Sequence, residues 1–325
     1  MRVGIDSFTI RDLKLDAYQT LDYVKKLGLE GVLFGDMAEL SREADVGRLI
    51  DIREYAEMLG MYVYSGVGTC NPVLVNGSLE EHKETLVEHI QAYAEAGWHE
   101  LRSVICYSDE NYNHPVPWKT HLNQSIDFIQ SLRPVLEKCG SRINLENHGD
   151  GTFDLVRVVE AVGADICGIC LDTANMLVCG EDPVLAAKRV APYTHLTHTK
   201  DGIIYFSDNG VMRQGKAPGQ GIVDFEQIIP ILGEYSPHLP LSIEDHKWLF
   251  EVSIFDPAWI DKNPDLTPVE LGQFVKLAWQ TEKKLASGEF PNVEEYEAIP
   301  YLDQMEERLT FGYQHLKEII NKQNL

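Results

Sequence analysis

Short runs of β-branched and apolar residues alternate along this chain with longer stretches whose apolar positions recur every three or four residues, and the alternation repeats eight times. The short runs predict strands over residues 3–8, 31–35, 62–66, 101–106, 143–148, 167–173, 195–200 and 241–246. Between them, Leu15, Tyr18, Leu21 and Val24 fall on one helical face that Gly28 stops. Ser78 and Glu81 read as a capping box opening a helix toward Gly97, and Asp182-Pro183 as an N-cap followed by proline at the first helical position. Asp224 with Gln227, and Thr267-Pro268 with Glu270, repeat the device. Pro134 is expected to kink or shorten the helix after Gln124.

Strand and helix in strict alternation predict a parallel sheet, and eight such units predict a closed (β/α)8 TIM barrel. An open doubly wound sheet fits less well, because no Gly-x-Gly-x-x-Gly follows the first strand. No linker or composition break divides the chain. The reading is a barrel catalytic domain over residues 1–287 and a C-terminal helical extension over 288–325. In that extension Leu302, Met305, Leu309, Leu316 and Ile319 supply a face for packing on the barrel or against a partner.

Composition narrows the function. Apolar residues make up 44% and charged residues 24% of the 325, ordinary values for a globular protein with a sizeable core. Against 28 Lys+Arg stand 51 Asp+Glu, a formal net charge of −23 that repels polyanions, so neither nucleic acid nor an anionic membrane is an expected partner. The chain goes straight into Val3-Gly4-Ile5 without a signal-peptide apolar region, and no run reaches membrane-spanning length, so a cytoplasmic location is expected. Six cysteines in so long a chain make no disulfide framework. Cys167 and Cys170, a C-x-x-C inside an apolar run, read as buried reduced thiols.

In a β/α barrel the reactive groups stand where strands end and loops begin. Four consecutive runs end in such groups: Glu146-Asn147-His148, Asp172-Thr173-Ala174-Asn175, His198-Thr199-Lys200-Asp201 and Glu244-Asp245-His246. Strand alternation places Glu146 with His148, His198 with Lys200, and Glu244 with His246, so Glu146, Asp172, His198 and Glu244 are able to point inward together. Three carboxylates converging in a dry barrel mouth repel one another unless a cation lies between them. One imidazole with three carboxylates is a hard, mostly oxygen donor set, which favours one divalent ion, Mn²⁺ or Mg²⁺ first, and tolerates Co²⁺ or Zn²⁺.

At this point the chain resembles the xylose isomerase-like barrels, which include sugar phosphate isomerases, epimerases and endonuclease IV. The resemblance covers residues 1–246 and rests on Leu145-Glu-Asn-His148, Leu171-Asp-Thr173, His198-Thr-Lys-Asp201, Gly219-Gln-Gly-Ile-Val-Asp-Phe225 and Ser242-Ile-Glu244. It implies that Glu146, Asp172, His198 and Glu244 bind the metal. As in the family's ketose epimerases, Glu146 and Glu244 would also flank the substrate and move protons. The implied chemistry is proton removal next to the carbonyl of a sugar through an enediolate, with isomerisation or epimerisation as the outcome. Expulsion of a β-substituent from the same enediolate would instead make a lyase.

The pattern is not complete. Where the family's ketose 3-epimerases carry a histidine and an arginine that meet substrate oxygens, this chain has Asn175 and Ile204. Endonuclease IV also needs more histidines than are present. His148 reads as a proton carrier or as a residue orienting a ligand, and Asn175, Lys200 and His246 as substrate-binding candidates. Trp248, Phe250, Phe255 and Trp259 in segment 247–266 read either as a cover over an aromatic or glycosidic substrate or as packing; the glycine-rich segment 201–223 reads as a mobile rim. These features also resemble the larger subunit of bacterial C-glycoside deglycosidases. That resemblance implies elimination from 3-keto glycosides and a small β subunit as partner, with a homo-oligomer as the other assembly. A non-catalytic sugar-binding barrel subunit is the remaining alternative.

Overall fold

The computed structural model describes residues 1–325. Eight parallel strands close into a barrel: β1 (Arg2–Asp6), β2 (Gly31–Leu33), β3 (Tyr62–Gly66), β4 (Glu100–Ser103), β5 (Arg142–Glu146), β6 (Cys167–Asp172), β7 (Thr194–Thr199) and, after a two-stranded excursion, β10 (Pro240–Ile243), which pairs with both β7 and β1. Five of the eight strands stop two or more residues before the polar end of the predicted run, because the chain there splays into the loops of the mouth. Glu146 is thus the last residue of β5, and Glu244 stands just beyond β10.

Helix ends follow the capping chemistry. Ser78, Asp182, Asp224 and Thr267 each accept a backbone N–H from the first turn of the helix that follows. Pro134 does not shorten its helix, which runs unbroken from Trp118 to Cys139. Pro134 is on the solvent face, so water serves the carbonyl that loses its donor. Cys167 packs in the main core outside the strands, whereas Cys170 faces Leu33 and Leu196 inside the barrel; both are free thiols.

The glycine-rich segment expected to be a mobile rim is an ordered antiparallel hairpin, β8 (Asp201–Phe206) and β9 (Val211–Lys216), to which β11 (Leu249–Val252) adds a third strand. Asp201 pins its base: this buried carboxylate accepts the backbone N–H groups of Gly202, Gly219, Gly221 and Val223 at 2.7–3.1 Å. Gly219 takes a left-handed turn conformation, whereas Gly202 and Gly215 lie within the strands, Gly215 admitting the close approach of the His246 carbonyl.

The last helix, Tyr301–Gln323, lies over β1 and β10 beside the helix Phe225–Tyr235. Tyr23 on the first helix donates to its Glu306 at 2.9 Å. It thereby fills the place in the helical ring that follows the eighth barrel strand, and residues 247–300 form the insertion between the two. Met305, Leu309, Leu316 and Ile319 join the main core, while Leu302 stays half exposed. No helix is long and apolar enough to cross a membrane.

Candidate metal centre

Parallel register sets the centre. Asp172 on β6 lies beside His198 on β7, and His198 lies beside Ser242 on β10, two residues before Glu244. Alternation turns all four candidate ligands inward: Glu146, Asp172, His198 and Glu244 are buried, and one ligand atom from each lies within 4.8 Å of the others. His198 Nδ1 faces both Glu146 Oε1, at 3.0 Å, and Glu244 Oε2, at 2.7 Å. A ring nitrogen has one proton or one lone pair, so it cannot satisfy two carboxylates; three donors converging on one point fit a shared cation. The other ring nitrogen, Nε2, lies 3.3 Å from Asp6 Oδ2. At that distance Asp6 adds negative charge beside the ring without a hydrogen bond to Nε2.

Each ligand is held by its own neighbours. Asp172 spends Oδ1 on the N–H groups of Ala174 and Asn175, both at 2.9 Å, and turns Oδ2 to the centre. The Asn147 side chain bridges the Asp172 backbone at both N–H and carbonyl. Glu146 Oε2 accepts from Arg102 Nε at 2.6 Å, with a second guanidinium nitrogen also in contact. Burial pushes the Glu146 carboxyl up, but the charges of Arg102 and His198 outweigh it and hold it well below the usual carboxylate range.

The electrostatics ask for more positive charge. Four carboxylates (Asp6, Glu146, Asp172, Glu244) face two permanent cations in contact with them, Arg102 and Lys200. The excess of two negative charges is what a divalent ion neutralises. Burial pushes His198 and Lys200 down, yet the surrounding carboxylates carry both above their ordinary ranges. The donor set and the field therefore fit a divalent cation, and the cluster is a candidate divalent-metal centre.

A cleft of about 1000 Å³ opens beside the centre, lined by His148, Asn175, Lys200 and His246; the four candidate ligands lie beneath this lining, in contact with it through Lys200 and His246. Lys200 Nζ lies 2.8 Å from both Asp172 Oδ2 and Glu244 Oε1, so this substrate-binding candidate stands among the ligands themselves. His246 Nε2 lies 3.3 Å from Glu244 Oε1; burial, aided by the charge of Lys200, pushes the ring down to about 4. The backbone of His148 is fixed through its N–H to Asp150, and its Nδ1 has no partner. Next to it, a Cβ on Gly149 would fall 1.9 Å from the carbonyl oxygen of Ser108, so only glycine lets the loops after β4 and β5 meet here. Trp248, Phe250 and Trp259 line the cleft, whereas Phe255 is turned away and stacks on Phe206.

Two residues escaped the sequence reading. Asp6 ends the first apolar run as the other carboxylates end theirs, so the signal was there. Arg102 carries a weaker one: alternation with buried Leu101 and Ser103 turns it to the barrel interior. Arg102→Met leaves the Glu146 charge buried and unpaired and is expected to cost about 3 kcal/mol of stability in denaturant unfolding. A surface arginine such as Arg157 mutated the same way should change little.

A family model for the xylose isomerase-like TIM barrel matches residues 21–251. The chain belongs to this family. Within it, the match to the uncharacterized protein YihM of Escherichia coli K12 is 26% identical over 145 residues, 43% of this chain and 43% of that protein. An inosose dehydratase of Bacillus thuringiensis is 22% identical over 186 residues, 49% of this chain and 61% of the relative. The chain spans about half the length of these curated relatives. Among solved structures of this xylose isomerase-like fold, D-psicose 3-epimerase from Clostridium cellulolyticum H10 superposes with a TM-score of 0.63 at 16% identity, over 88% of this chain and 99% of that one.

Proposed function

We propose that this xylose isomerase-like barrel is a divalent-metal-dependent enzyme that removes a proton next to the carbonyl of a sugar or sugar-derived ketone, with isomerisation or epimerisation as the outcome. The observation that carries the reading is the convergence of Glu146 Oε1 and Glu244 Oε2 on His198 Nδ1, with Asp172 alongside, beneath an open cleft whose lining residues Lys200 and His246 touch these ligands. Glu146, Asp172, His198 and Glu244 would hold the ion. Three oxygen donors to one nitrogen favour Mn²⁺, with Mg²⁺, Co²⁺ and Zn²⁺ as alternatives. When bound, such an ion supplies Lewis acidity toward a carbonyl and its neighbouring hydroxyl.

The chain's own groups supply the rest. His198 stands between Glu146 and Glu244, so a substrate over the centre has a carboxylate toward either side. One takes the proton and the other returns one, which inverts a carbon; a single carboxylate acting alone isomerises. Lys200 and Arg102 keep these carboxylates ionised, and His148, with its free Nδ1, passes the proton on toward solvent. The side chains of Asn175 and His246 border the same cleft and orient substrate hydroxyls. The names of two similar proteins support the substrate class, one acting on an inosose and one on D-psicose.

A second reading, elimination of a β-substituent from a 3-keto glycoside, is favoured by the size and aromatic lining of the cleft. A volume of about 1000 Å³ walled by Tyr107, Tyr112, Trp248, Phe250 and Trp259 exceeds what a single sugar ring fills. The test is incubation of Mn²⁺-loaded protein in deuterated water with free ketoses, inososes and 3-keto glycosides. Solvent deuterium in a recovered isomer supports the leading reading. Release of water or an aglycone supports elimination, and neither from any compound would leave a sugar-binding barrel without catalysis.

A further inference from the structure

Beyond β10 the sheet ladder has ended, and residues 244–248 belong to no strand, yet this stretch carries Glu244 and His246 into the site. Its side chains turn alternately, Glu244 and His246 toward the centre and Asp245 and Lys247 toward the C-terminal region, with Lys247 also bordering the cleft. The outward pair are both gripped by one segment of the C-terminal region. Asp245, 1% exposed, accepts a forked pair of hydrogen bonds from Arg308, 4% exposed, at 2.6 Å from Nε and 2.5 Å from Nη2. Lys247 Nζ donates to the carbonyls of Tyr296 and Ile299, at 2.7 Å to the latter. Arg308 also touches the Tyr296 hydroxyl, so the two grips are joined. On the remaining side the Asp245 N–H donates to Thr9 Oγ1 at 3.0 Å, and Thr9 in turn donates to the Ile243 carbonyl.

We propose that Arg308 is a positioning residue for the metal centre: the segment 296–308 clamps Asp245 and Lys247 from outside and thereby sets where Glu244 and His246 stand. The inference rests on the reading of Glu244 as a metal ligand. A planar guanidinium gripping a carboxylate by two bonds fixes orientation as well as distance, which a flexible or singly bonded partner does not. A ligand at the end of a free stretch needs that restraint, because loss of an outer partner lets the donor atom wander from its point of convergence. The clamp ties the terminal helix, remote in sequence from all four ligands, to the affinity of the centre.

The test is calorimetric titration of the full chain with Mn²⁺, together with the visible absorption spectrum of the Co²⁺-loaded protein. Arg308→Met is expected to weaken Mn²⁺ binding about 10- to 100-fold and to alter the Co²⁺ bands, with the far-UV spectrum of a folded barrel retained. Arg133→Met is the control. Arg133 pairs with Asp165 at 2.5 Å just before β6 begins, at the end of the barrel opposite the ligands, so its loss should leave Mn²⁺ affinity and the Co²⁺ bands unchanged. If Arg308→Met does not fold, Asp245→Asn with Arg308→Met removes both buried charges together and is read the same way. A folded Arg308 variant with unchanged affinity and bands overturns the clamp, as does an equal loss in Arg133→Met. A parent protein that binds neither ion refutes the ligand reading itself.

Discussion

Glu146→Gln and Glu244→Gln, made singly, are expected to lower kcat at least about 10²-fold on the substrate found by the deuterium screen, the usual scale for loss of a proton-transferring carboxylate. Glutamine keeps the shape and removes the charge, so the loss reports on chemistry rather than packing. At Glu146 the change has a second effect, because Arg102 then faces a neutral amide across a short hydrogen bond. Steady-state kinetics at saturating Mn²⁺, with folding checked by circular dichroism, separates lost proton transfer from weakened metal binding. Unchanged turnover in both variants would mean that these carboxylates move no proton.

Chelation is expected to abolish activity and Mn²⁺ to restore it, with a parallel shift in stability. An ion that binds only the folded chain adds about 2.7 kcal/mol when its free concentration is about 100 times its Kd. Here the gain has a specific source. Without a metal ion between them, Glu146, Asp172 and Glu244 are pressed together in a dry site, offset by Arg102, Lys200, a protonated His198 and the nearby buried Arg213. Thermal melts at stepped Mn²⁺ concentrations check the prediction. A Tm indifferent to the ion, with activity surviving exhaustive chelation, would show that the chain's own cations suffice.

These expectations join two levels of the structure. The hairpin of β8 and β9 and the aromatic strand β11 stand beside the mouth, where segment 247–266 places Trp248, Phe250 and Trp259 along the cleft. The barrel supplies the reactive centre; the insertion shapes the space above it. Substrate size is thereby governed by a part of the chain separate from the part that governs the reaction.

Much of this was legible in the sequence, and for a local reason. Strand alternation and helix caps act over two to four residues, so the eight strands, four helix starts and the inward face shared by Glu146, Asp172, His198 and Glu244 could be read from spacing alone. What required the tertiary structure acts across the chain. Arg102 meets Glu146 only because β4 and β5 pair in one register, and Asp6 reaches His198 only because the first strand closes on the last. The glycine-rich segment became a hairpin whose base is pinned where Asp201 gathers three backbone N–H groups from 18 to 22 residues away, and no local pattern announces such a gathering. The terminal helix likewise took its place through the buried Asp245–Arg308 pair and its packing over β1 and β10. Periodicity tells a side chain which way to face; barrel closure decides whom it meets there.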